Sequence, residues 1–314
     1  MVKTRPLLSF LFLAATQIEI GKAVTDNGDG TGGAAPSIVQ YVMLNADETS
    51  AYTAFDPHAT HGVVLKDGGY VLVGQGLTSE TGTGKASAIV TRIDLCSDLS
   101  KYDSALGVNL SGPGTNCANQ FTWSWKEPVT TKHASVVWVA ESPDGSYILA
   151  VGVKQMTNSK HQRYVVKLNA QTGALIWSFV MPTGSGFGFR SGYETIAFTQ
   201  DGGFIVGGYG AATSTTFPHF KSGGTVDAAK PILQKFSAAT ASASTMASAP
   251  TPVWSYMCQA TGTTCVTIGS SKAVRVYFDQ GVEKVVTVPG GRASILVLDA
   301  TTGAEVRFYQ EVAL

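Results

Sequence analysis

Residues that could bind a metal ion stand together in "DPHATH" (residues 56–61), which holds an aspartate and two histidines. His58 and His61 could begin a metal site, but such a site needs at least a third ligand, and the sequence does not indicate where one would come from. The alternative is that these are polar residues of a loop. We predict the loop and no metal site.

A second stretch, "TDNGDGTGG" (residues 25–33), has the look of a calcium loop. With Asp29 and Gly30 at the fifth and sixth loop positions, the first and twelfth positions fall on Thr25 and Pro36. Both of the strongest carboxylate ligands of such a loop are then missing. We predict a flexible N-terminus of the mature chain over residues 24–36.

A third stretch, "PTGSGFGFRSG" (residues 182–192), is rich in glycine. A phosphate-binding loop would lead from a strand into a helix, whereas the next residues, "YETIAFTQ", alternate as a strand does. We therefore predict a connecting loop that presents Phe187, Phe189 and Arg190. Packing over the ring is the favoured role of these side chains, and contact with a ligand is the alternative. A GxSxG elbow is absent from the sequence, and no catalytic residue is predicted.

The N-terminus predicts the compartment. Lys3 and Arg5 precede an apolar run over residues 7–15, and small residues follow it. This pattern is typical of a secretory signal peptide, here residues 1–23. A membrane anchor is the alternative, but the run is shorter than the roughly 20 residues that span a bilayer. We predict a secreted protein with no membrane span after cleavage.

Four cysteines in a secreted chain are expected to form disulfides, and their order favours Cys96 with Cys117 and Cys258 with Cys265. Other pairings remain open. Neither pair has the short spacing of a zinc site. The sequon "NLS" makes Asn109 a predicted glycosylation site inside the first cysteine loop.

The charge of the chain argues against one class of partner. It has 22 basic and 22 acidic residues, and removal of residues 1–23 leaves 19 basic and 21 acidic residues. A slightly acidic protein without a basic run has no electrostatic footprint for nucleic acid.

The elements that must position these residues come from an internal repeat. Three glycine turns share one form, in "KDGGYVLVGQG", "PDGSYILAVGV" and "QDGGFIVGGYG", and a weaker fourth is "DQGVEKVVTV". Each turn lies between two apolar runs, which predicts a hairpin because glycine supplies the positive φ that a tight turn needs.

A third and a fourth strand follow each hairpin. The fourth strands contain "TWSWK", "LIWSFV", "PVWSYM" and "EVRFYQ". If Trp123, Trp177, Trp254 and Val306 are equivalent, their separations are 54, 77 and 52 residues. The separations of 54 and 52 residues fit one propeller blade. The longer intervals contain insertions before the fourth strand, which we predict to be surface loops. The fold class is thus all-β, a β-propeller-like array of four-stranded antiparallel blades.

The stretches "VVKLNAQTGALIWSF" and "ILVLDATTGAEVRFY" resemble blades of the quinoprotein-like (PQQ-type) β-propeller superfamily. The resemblance covers most of residues 37–314 as repeat architecture. For an enzyme it would imply pyrroloquinoline quinone and calcium at the ring centre. The adjacent cysteines of many such alcohol dehydrogenases are absent, and no calcium-binding set of Glu, Asn and Asp can be matched, so no cofactor and no catalytic residue are carried over.

One segment stands outside the four repeats. "SIVQYVML", starting at residue 37, matches a fourth strand that lacks its own first three. Either the protein continues with further blades beyond residue 314, or this strand packs elsewhere, or a partner subunit supplies the missing strands. We favour further blades or completion by a partner; the main alternative is a small propeller that closes on itself, because an exposed sheet edge invites aggregation.

Function follows from the sequence only as a hypothesis. The prediction is a secreted, non-catalytic binding or assembly module, since propeller loops gather on one rigid face. Its partner would be a protein, a glycan or a second copy joined through an open sheet edge. The alternatives are an extracellular quinone-dependent or glycan-acting enzyme, and a structural subunit of an extracellular matrix or surface appendage.

Overall fold

The fold consists of four four-stranded antiparallel sheets, each called a blade below. The computed structural model describes residues 58–77, 86–93, 102–103, 108–109, 121–128, 133–157, 160–182, 191–210, 229–265, 269–290 and 294–310. In every blade the strands neighbour one another in chain order, as in a meander. The predicted all-β blade array, with four full repeats, is confirmed.

The strands of the first two blades are as follows. Blade 1 contains β1 (His58–Val64), β2 (Tyr70–Leu77), β3 (Ala86–Ile93) and β6 (Phe121–Lys126), and a two-stranded hairpin, β4 (Tyr102–Asp103) with β5 (Val108–Asn109), lies between β3 and β6 in the sequence. Blade 2 contains β7 (Ala134–Glu141), β8 (Tyr147–Thr157), β9 (Lys160–Asn169) and β10 (Leu175–Val180).

The other two blades repeat this order. Blade 3 contains β11 (Gly192–Phe198), β12 (Phe204–Gly210), β13 (Lys230–Phe236), the helix α1 (Ala238–Ser242) and β14 (Trp254–Met257). Blade 4 contains β15 (Ser271–Asp279), β16 (Val282–Pro289), β17 (Ser294–Asp299) and β18 (Glu305–Gln310).

The first hairpin of each blade turns where the glycine pattern predicts. In blade 1 the Gly68 amide donates to the Leu65 carbonyl at 3.0 Å, and the Leu65 amide donates to the Gly69 carbonyl at 2.7 Å. Gly68 has φ of 90°, which an L-residue rarely adopts. The Asp67 carboxylate accepts the Gly69 amide at 3.1 Å, so aspartate and glycine each close part of the turn.

The connection from third to fourth strand is built identically in blades 2 and 4. The Asn169 side chain accepts the amides of Gln171 and Thr172 at 3.0 and 2.9 Å. Asp299 does the same for Thr301 and Thr302 at 3.1 and 2.9 Å. This Asx-type turn explains the repeated Asn/Asp-Ala-x-Thr-Gly pattern, because a short polar side chain satisfies backbone donors that the turn leaves unpaired.

Consecutive blades share hydrophobic cores. The first strand of each later blade packs over the preceding sheet: β7 contacts β1, β2 and β3, β11 contacts β7, β8 and β9, and β15 contacts β11, β12 and β13. Each pair of blades encloses one cluster of buried aliphatic and aromatic side chains. The blades are therefore stabilised mainly by burial against their neighbours.

One predicted surface loop has a different structure. In blade 3 the insertion before Trp254 begins with helix α1, where the Ser237 hydroxyl accepts the Thr240 amide as N-cap. Ala241 is buried, and Met246 and Ala249 pack against the core between blades 2 and 3. The loop prediction was wrong here because this segment covers apolar surface that a short turn covers in blades 2 and 4.

The expected equivalence of Val306 with the tryptophans was also wrong, by one residue. Trp177 pairs with Lys167, and in blade 4 the corresponding pair is Arg307 with Val297. Arg307 lies four residues after Gly303, as Trp177 lies four residues after Gly173. The turn fixes the register, so the equivalent position carries a charged residue although an apolar one precedes it.

Cys258 and Cys265 form a disulfide with an S–S distance of 2.04 Å, as predicted. It closes a short loop after β14, and both residues are buried between blades 3 and 4. Cys96 and Cys117 lie outside the described residues, as do the predicted signal peptide, the segment 24–36 and the extra strand from residue 37. In the part of the chain that the structure describes, no helix has the length and hydropathy needed to cross a bilayer.

Candidate functional site

An irregularity in the first strand brings side chains of different blades together. The pairing register between first and second strands shifts at Thr60, Val137 and Glu194, and in blade 4 it shifts over Lys272 and Ala273. A β-bulge leaves the extra residue unpaired and re-aims nearby side chains. Because the first strands of successive blades pack on one another, these bulges lie where the blades converge.

Three aromatic and basic residues form one contact across three blades, here called the three-blade cluster: His61, Trp138 and Arg275. The His61 ring stacks on the Trp138 indole with centroids 3.7 Å apart and an interplanar angle of 16°. The Arg275 guanidinium lies 5.8 Å from the centroid of the same indole. An indole that contacts both an imidazole and a guanidinium is in a favourable arrangement provided that the imidazole is neutral.

The environment of His61 favours this neutral form. Burial disfavours the imidazolium ion, and the positive charge of Arg275 adds to that effect, so the pKa of His61 falls from 6.5 to about 4. The Val139 amide donates to Nδ1 at 3.4 Å, which requires that nitrogen to be unprotonated. His61 therefore takes part in packing rather than in proton transfer near neutral pH.

This depressed pKa predicts a pH dependence of stability. Between pH 6.5 and about 4 the unfolded chain protonates His61 while the folded chain does not, so the free energy of unfolding decreases as the pH falls through this window. Thermal melts at pH 7, 5.5 and 4.5 should show a falling Tm, and His61→Phe, which keeps an aromatic ring, should lose part of that dependence. An identical pH profile in the variant would contradict the assignment.

A second group of polar residues joins blades 3 and 4. The carboxylate of Glu194, at the bulge of β11, accepts a hydrogen bond from the Ser270 hydroxyl. It also forms an ion pair with the Lys272 ammonium at 2.8 Å. Glu194 is buried, whereas the Lys272 side chain is largely exposed. The carboxylate is thus already engaged by two partners that hold the blades together.

A buried pair of a histidine and a tyrosine lies between blades 2 and 3. Nε2 of His161 is 2.8 Å from the Tyr209 hydroxyl, and both side chains are buried. Burial and the nearby Glu194 carboxylate raise the pKa of Tyr209 well above its usual value. A hydroxyl kept protonated and away from solvent stabilises the interface and does not serve as a base.

The contacts between blades follow one scheme. The indole N–H of Trp123 in blade 1 donates to the Ala170 carbonyl of blade 2 at 3.2 Å. The indoles of Trp177 and Trp254 donate in the same way to carbonyls in the following blade, those of Ala243 at 3.0 Å and Ala300 at 3.1 Å. We call these the tryptophan docking contacts.

A basic residue accompanies each tryptophan on the paired strand. Arg92, Lys167 and Lys235 are the Cα partners of Trp123, Trp177 and Trp254 respectively. Two of them reinforce the docking, because the Ala170 carbonyl also accepts Arg92 at 3.0 Å and the Ala243 carbonyl also accepts Lys167 at 3.0 Å. The third forms an ion pair with Asp201 at 2.6 Å.

Glycine makes the docking possible. In blade 2, Gly173 has φ of 68°, and a Cβ added there would lie 2.5 Å from atoms of the Trp123 indole. A Cβ added at Gly303 of blade 4 would likewise clash with the Trp254 indole. The glycine that ends the Asn/Asp-Ala-x-Thr-Gly pattern is therefore required for two reasons. The turn needs its positive φ, and the indole lies where a Cβ would be.

The site residues predicted from the sequence are placed as follows. Phe187, Phe189 and Arg190 lie outside the described residues, and so does the side chain of Asn109, whose backbone forms part of β5. His58 and His61 belong to β1, so their prediction as loop residues was wrong; pairing with β2 extends the strand further toward the N-terminus than the turn-based pattern indicated. Within the described ranges, no group of three His, Cys, Asp or Glu side chains is arranged to hold a metal ion.

Sequence reasoning missed Trp138, Arg275, Glu194 and Lys272. They lie in the first strands of blades 2, 3 and 4, with Lys272 and Arg275 both on β15, and neither spacing nor residue type relates them. The available signal is that all four occupy comparable places in the repeat, one strand before each glycine turn. A comparison of first strands across the repeat would have drawn attention to them.

Together, the four meander sheets and the docking contacts define a β-propeller-type blade array. The four four-stranded antiparallel sheets have the blade architecture that the resemblance to quinoprotein-like blades predicts. No family model and no curated protein sequence matches the chain.

Several solved structures are similar in fold. They include the major allergen Mala s 1 of Malassezia sympodialis, with 10% identity, a TM-score of 0.41 and coverage of 81% of this chain and 64% of that one. A quinohemoprotein alcohol dehydrogenase from Comamonas testosteroni has 14% identity, a TM-score of 0.38 and coverage of 87% and 39%. A protein of unknown function from Dyadobacter fermentans has 11% identity, a TM-score of 0.44 and coverage of 81% and 69%.

The chain spans between about a third and two thirds of the length of such proteins. The TM-scores are below 0.5, so the assignment of blades rests on the four sheets themselves.

Proposed function

We propose that this protein is a secreted, non-catalytic binding and assembly module. The observation that carries the proposal is the outward face of blade 4, meaning the side of its sheet turned away from blade 3. Five apolar side chains on this face are exposed: Tyr277, Val282, Val288, Ile295 and Tyr309. Ile295 and Tyr309 are strand partners, and exposed apolar surface of this kind usually marks an interaction site.

The pairing register supports a common face for these residues. Arg275, Val286, Val297 and Arg307 form one row across the four strands. Side chains two residues apart on a strand share a face, so Tyr277, Val288, Ile295 and Tyr309 belong to the same side as that row. Tyrosine and arginine beside aliphatic residues is the composition that energetically important interface positions favour.

The polar groups between the blades support a non-catalytic role. Glu194 is engaged by Ser270 and Lys272, and His61 is stacked on Trp138 in its neutral form. These groups already have structural partners. Pyrroloquinoline quinone and calcium would need additional carboxylate and amide ligands, and the described residues gather no such group of acidic side chains.

Secretion is supported by two features. Residues 1–23 have the pattern of a signal peptide, and Cys258 with Cys265 form a disulfide, a bond that persists in oxidising compartments. Expression of the full chain in a eukaryotic secretory host should release it into the medium without residues 1–23, as N-terminal sequencing would show. Retention of the uncleaved chain in cells would contradict this part of the proposal.

The test of the non-catalytic role uses the secreted protein. After incubation with pyrroloquinoline quinone and Ca²⁺ and subsequent gel filtration, we expect no quinone absorbance in the protein peak and no alcohol-dependent reduction of an electron-accepting dye. A panel of chromogenic glycosides tests the glycan-acting alternative in the same way. Turnover in either assay that scales with protein concentration would overturn the proposal.

A further inference from the structure

The outward face of blade 4 has exact counterparts in the other blades, and there it is covered. Two positions show this most clearly: Val165 with its strand partner Phe179 in blade 2, and Ile295 with its strand partner Tyr309 in blade 4. Val165 and Phe179 are 0% and 4% exposed, whereas Ile295 and Tyr309 are 46% and 50% exposed. In blade 3 the equivalents, Leu233 and Tyr256, are buried as well.

The following blade covers these positions in each case. Its first strand supplies part of the cover, since β11 packs over blade 2 and β15 packs over blade 3. Later strands supply the rest, as the Phe236 ring of β13 lies 5.5 Å from that of Phe179. β1 is also a first strand. Among the described strands, it packs mainly against its own sheet, through β2, and against the following blade, through β7. Val64, at the end of β1, is 56% exposed. In the described part of the chain, Ile295 and Tyr309 of blade 4 and Val64 of β1 are thus exposed, whereas Arg275, on the same face of blade 4, lies on Trp138 of blade 2.

We propose that the outward face of blade 4 binds the β1 side of blade 1 in a second copy of this chain. This rests on the proposed binding and assembly function and names its partner. Two such contacts, related by a two-fold axis, join the copies head to tail and leave neither interface half open. The blades described here would then number eight in the pair, four from each copy.

The size of the face fits this partner. The five exposed apolar side chains, each about half exposed, offer on the order of 500 Å² of apolar surface. A standard stable interface buries roughly 800 Å² on each partner, so these side chains could form the core of one. Because the contact occurs twice in each pair of chains, the total buried area is twice that of a single contact.

Arg307 supplies the matching polar contact. It occupies the position of the docking tryptophans, is fully exposed, and donates to the Tyr309 hydroxyl at 2.9 Å. Indole and guanidinium groups both only donate hydrogen bonds. Arg307 can therefore donate to a backbone carbonyl of the second copy, as Trp177 donates to the Ala243 carbonyl within the chain.

The test is the solution mass of the full secreted chain, measured by light scattering during gel filtration over a hundredfold range of concentration. We expect a species of twice the subunit mass that dissociates on dilution. Tyr309→Glu should weaken the association at least tenfold and leave the Tm of the monomer unchanged. Leu175→Glu is the matched control, since Leu175 is 48% exposed on β10 of blade 2, and it should associate as the natural chain does.

Each other outcome overturns the inference. A natural chain that stays monomeric at the highest concentration has no such contact, and a Tyr309→Glu chain with a lowered monomer Tm would show that residues of its own chain cover the face. Association that both substitutions leave unaltered uses another surface. A monomer that also shows no enzymatic turnover would sink the second copy as partner while leaving the non-catalytic proposal standing.

Discussion

Replacing Trp177 with alanine is expected to lower the free energy of unfolding by about 4 kcal/mol. The side chain is 3% exposed in the core between blades 2 and 3 and stacks on Phe179 with centroids 5.6 Å apart. Its indole N–H donates to the Ala243 carbonyl, which also accepts from Lys167. Alanine would leave a cavity and remove one of the two donors at that carbonyl. Urea unfolding monitored by far-ultraviolet circular dichroism gives the change.

Two further variants separate the causes. Trp177→Phe keeps much of the apolar contact and removes the N–H donor, so a loss of about 1 to 2 kcal/mol is expected. Arg307→Ala changes the equivalent but exposed position of blade 4 and should leave the unfolding midpoint of the monomer unaltered. If Trp177→Ala proved as mild as Arg307→Ala, the docking contact would contribute nothing to stability.

The second large effect is expected for Gly152→Ala in β8, at about 3 kcal/mol or more. A Cβ at Gly152 would lie 1.9 Å from the carbonyl oxygen of Ser135 and 2.8 Å from Cα of Val136. Both belong to the paired strand β7, so the two strands must move apart next to the bulge at Val137. Gly208 in blade 3 has the same constraint, 2.0 Å from the Gly192 carbonyl oxygen, and its substitution should be similarly costly.

Gly262→Ala serves as the control for backbone conformation alone. Gly262 has φ of 86°, and a Cβ there would meet no atom within 4 Å. Its substitution should cost about 1 kcal/mol, the penalty of the left-handed region without a steric clash. Comparison of the two variants by urea unfolding isolates the clash. Equal losses for Gly152→Ala and Gly262→Ala would mean that β7 adapts without cost.

Local turn chemistry made much of the fold predictable from the sequence. Asp67 and Gly68 each satisfy a requirement of one hairpin, and Asn169 with Gly173 define the connection to the fourth strand. These requirements concern a few consecutive residues, so they leave a readable pattern. The hairpins and the strand order were therefore predicted correctly. The predicted Cys258–Cys265 disulfide is confirmed as well, and Cys96 and Cys117 lie outside the described residues.

The rest depends on contacts between residues far apart in the sequence. The Val139 amide meets the His61 ring 78 residues away, and the Glu194 carboxylate meets Lys272 across the same distance. Helix α1 is stable because Ala241 is buried against blade 2, and an alanine-rich segment by itself favours a helix too weakly to predict one of five residues. Such features are decided by tertiary packing, which leaves no pattern in a single sequence.

The tryptophan docking contacts have a consequence for how the molecule opens. Apart from Arg275 on Trp138, the contacts described here couple each blade to its immediate neighbours, so the stability of the array is approximately a sum of blade terms and nearest-neighbour terms. Among the described residues, blade 2 has docking contacts with blades 1 and 3, whereas blade 4 has one with blade 3. In the dissociated chain, amide hydrogens of β8 and β9 should then exchange with solvent far more slowly than those of β16 and β17, because only rare openings that break both couplings expose them.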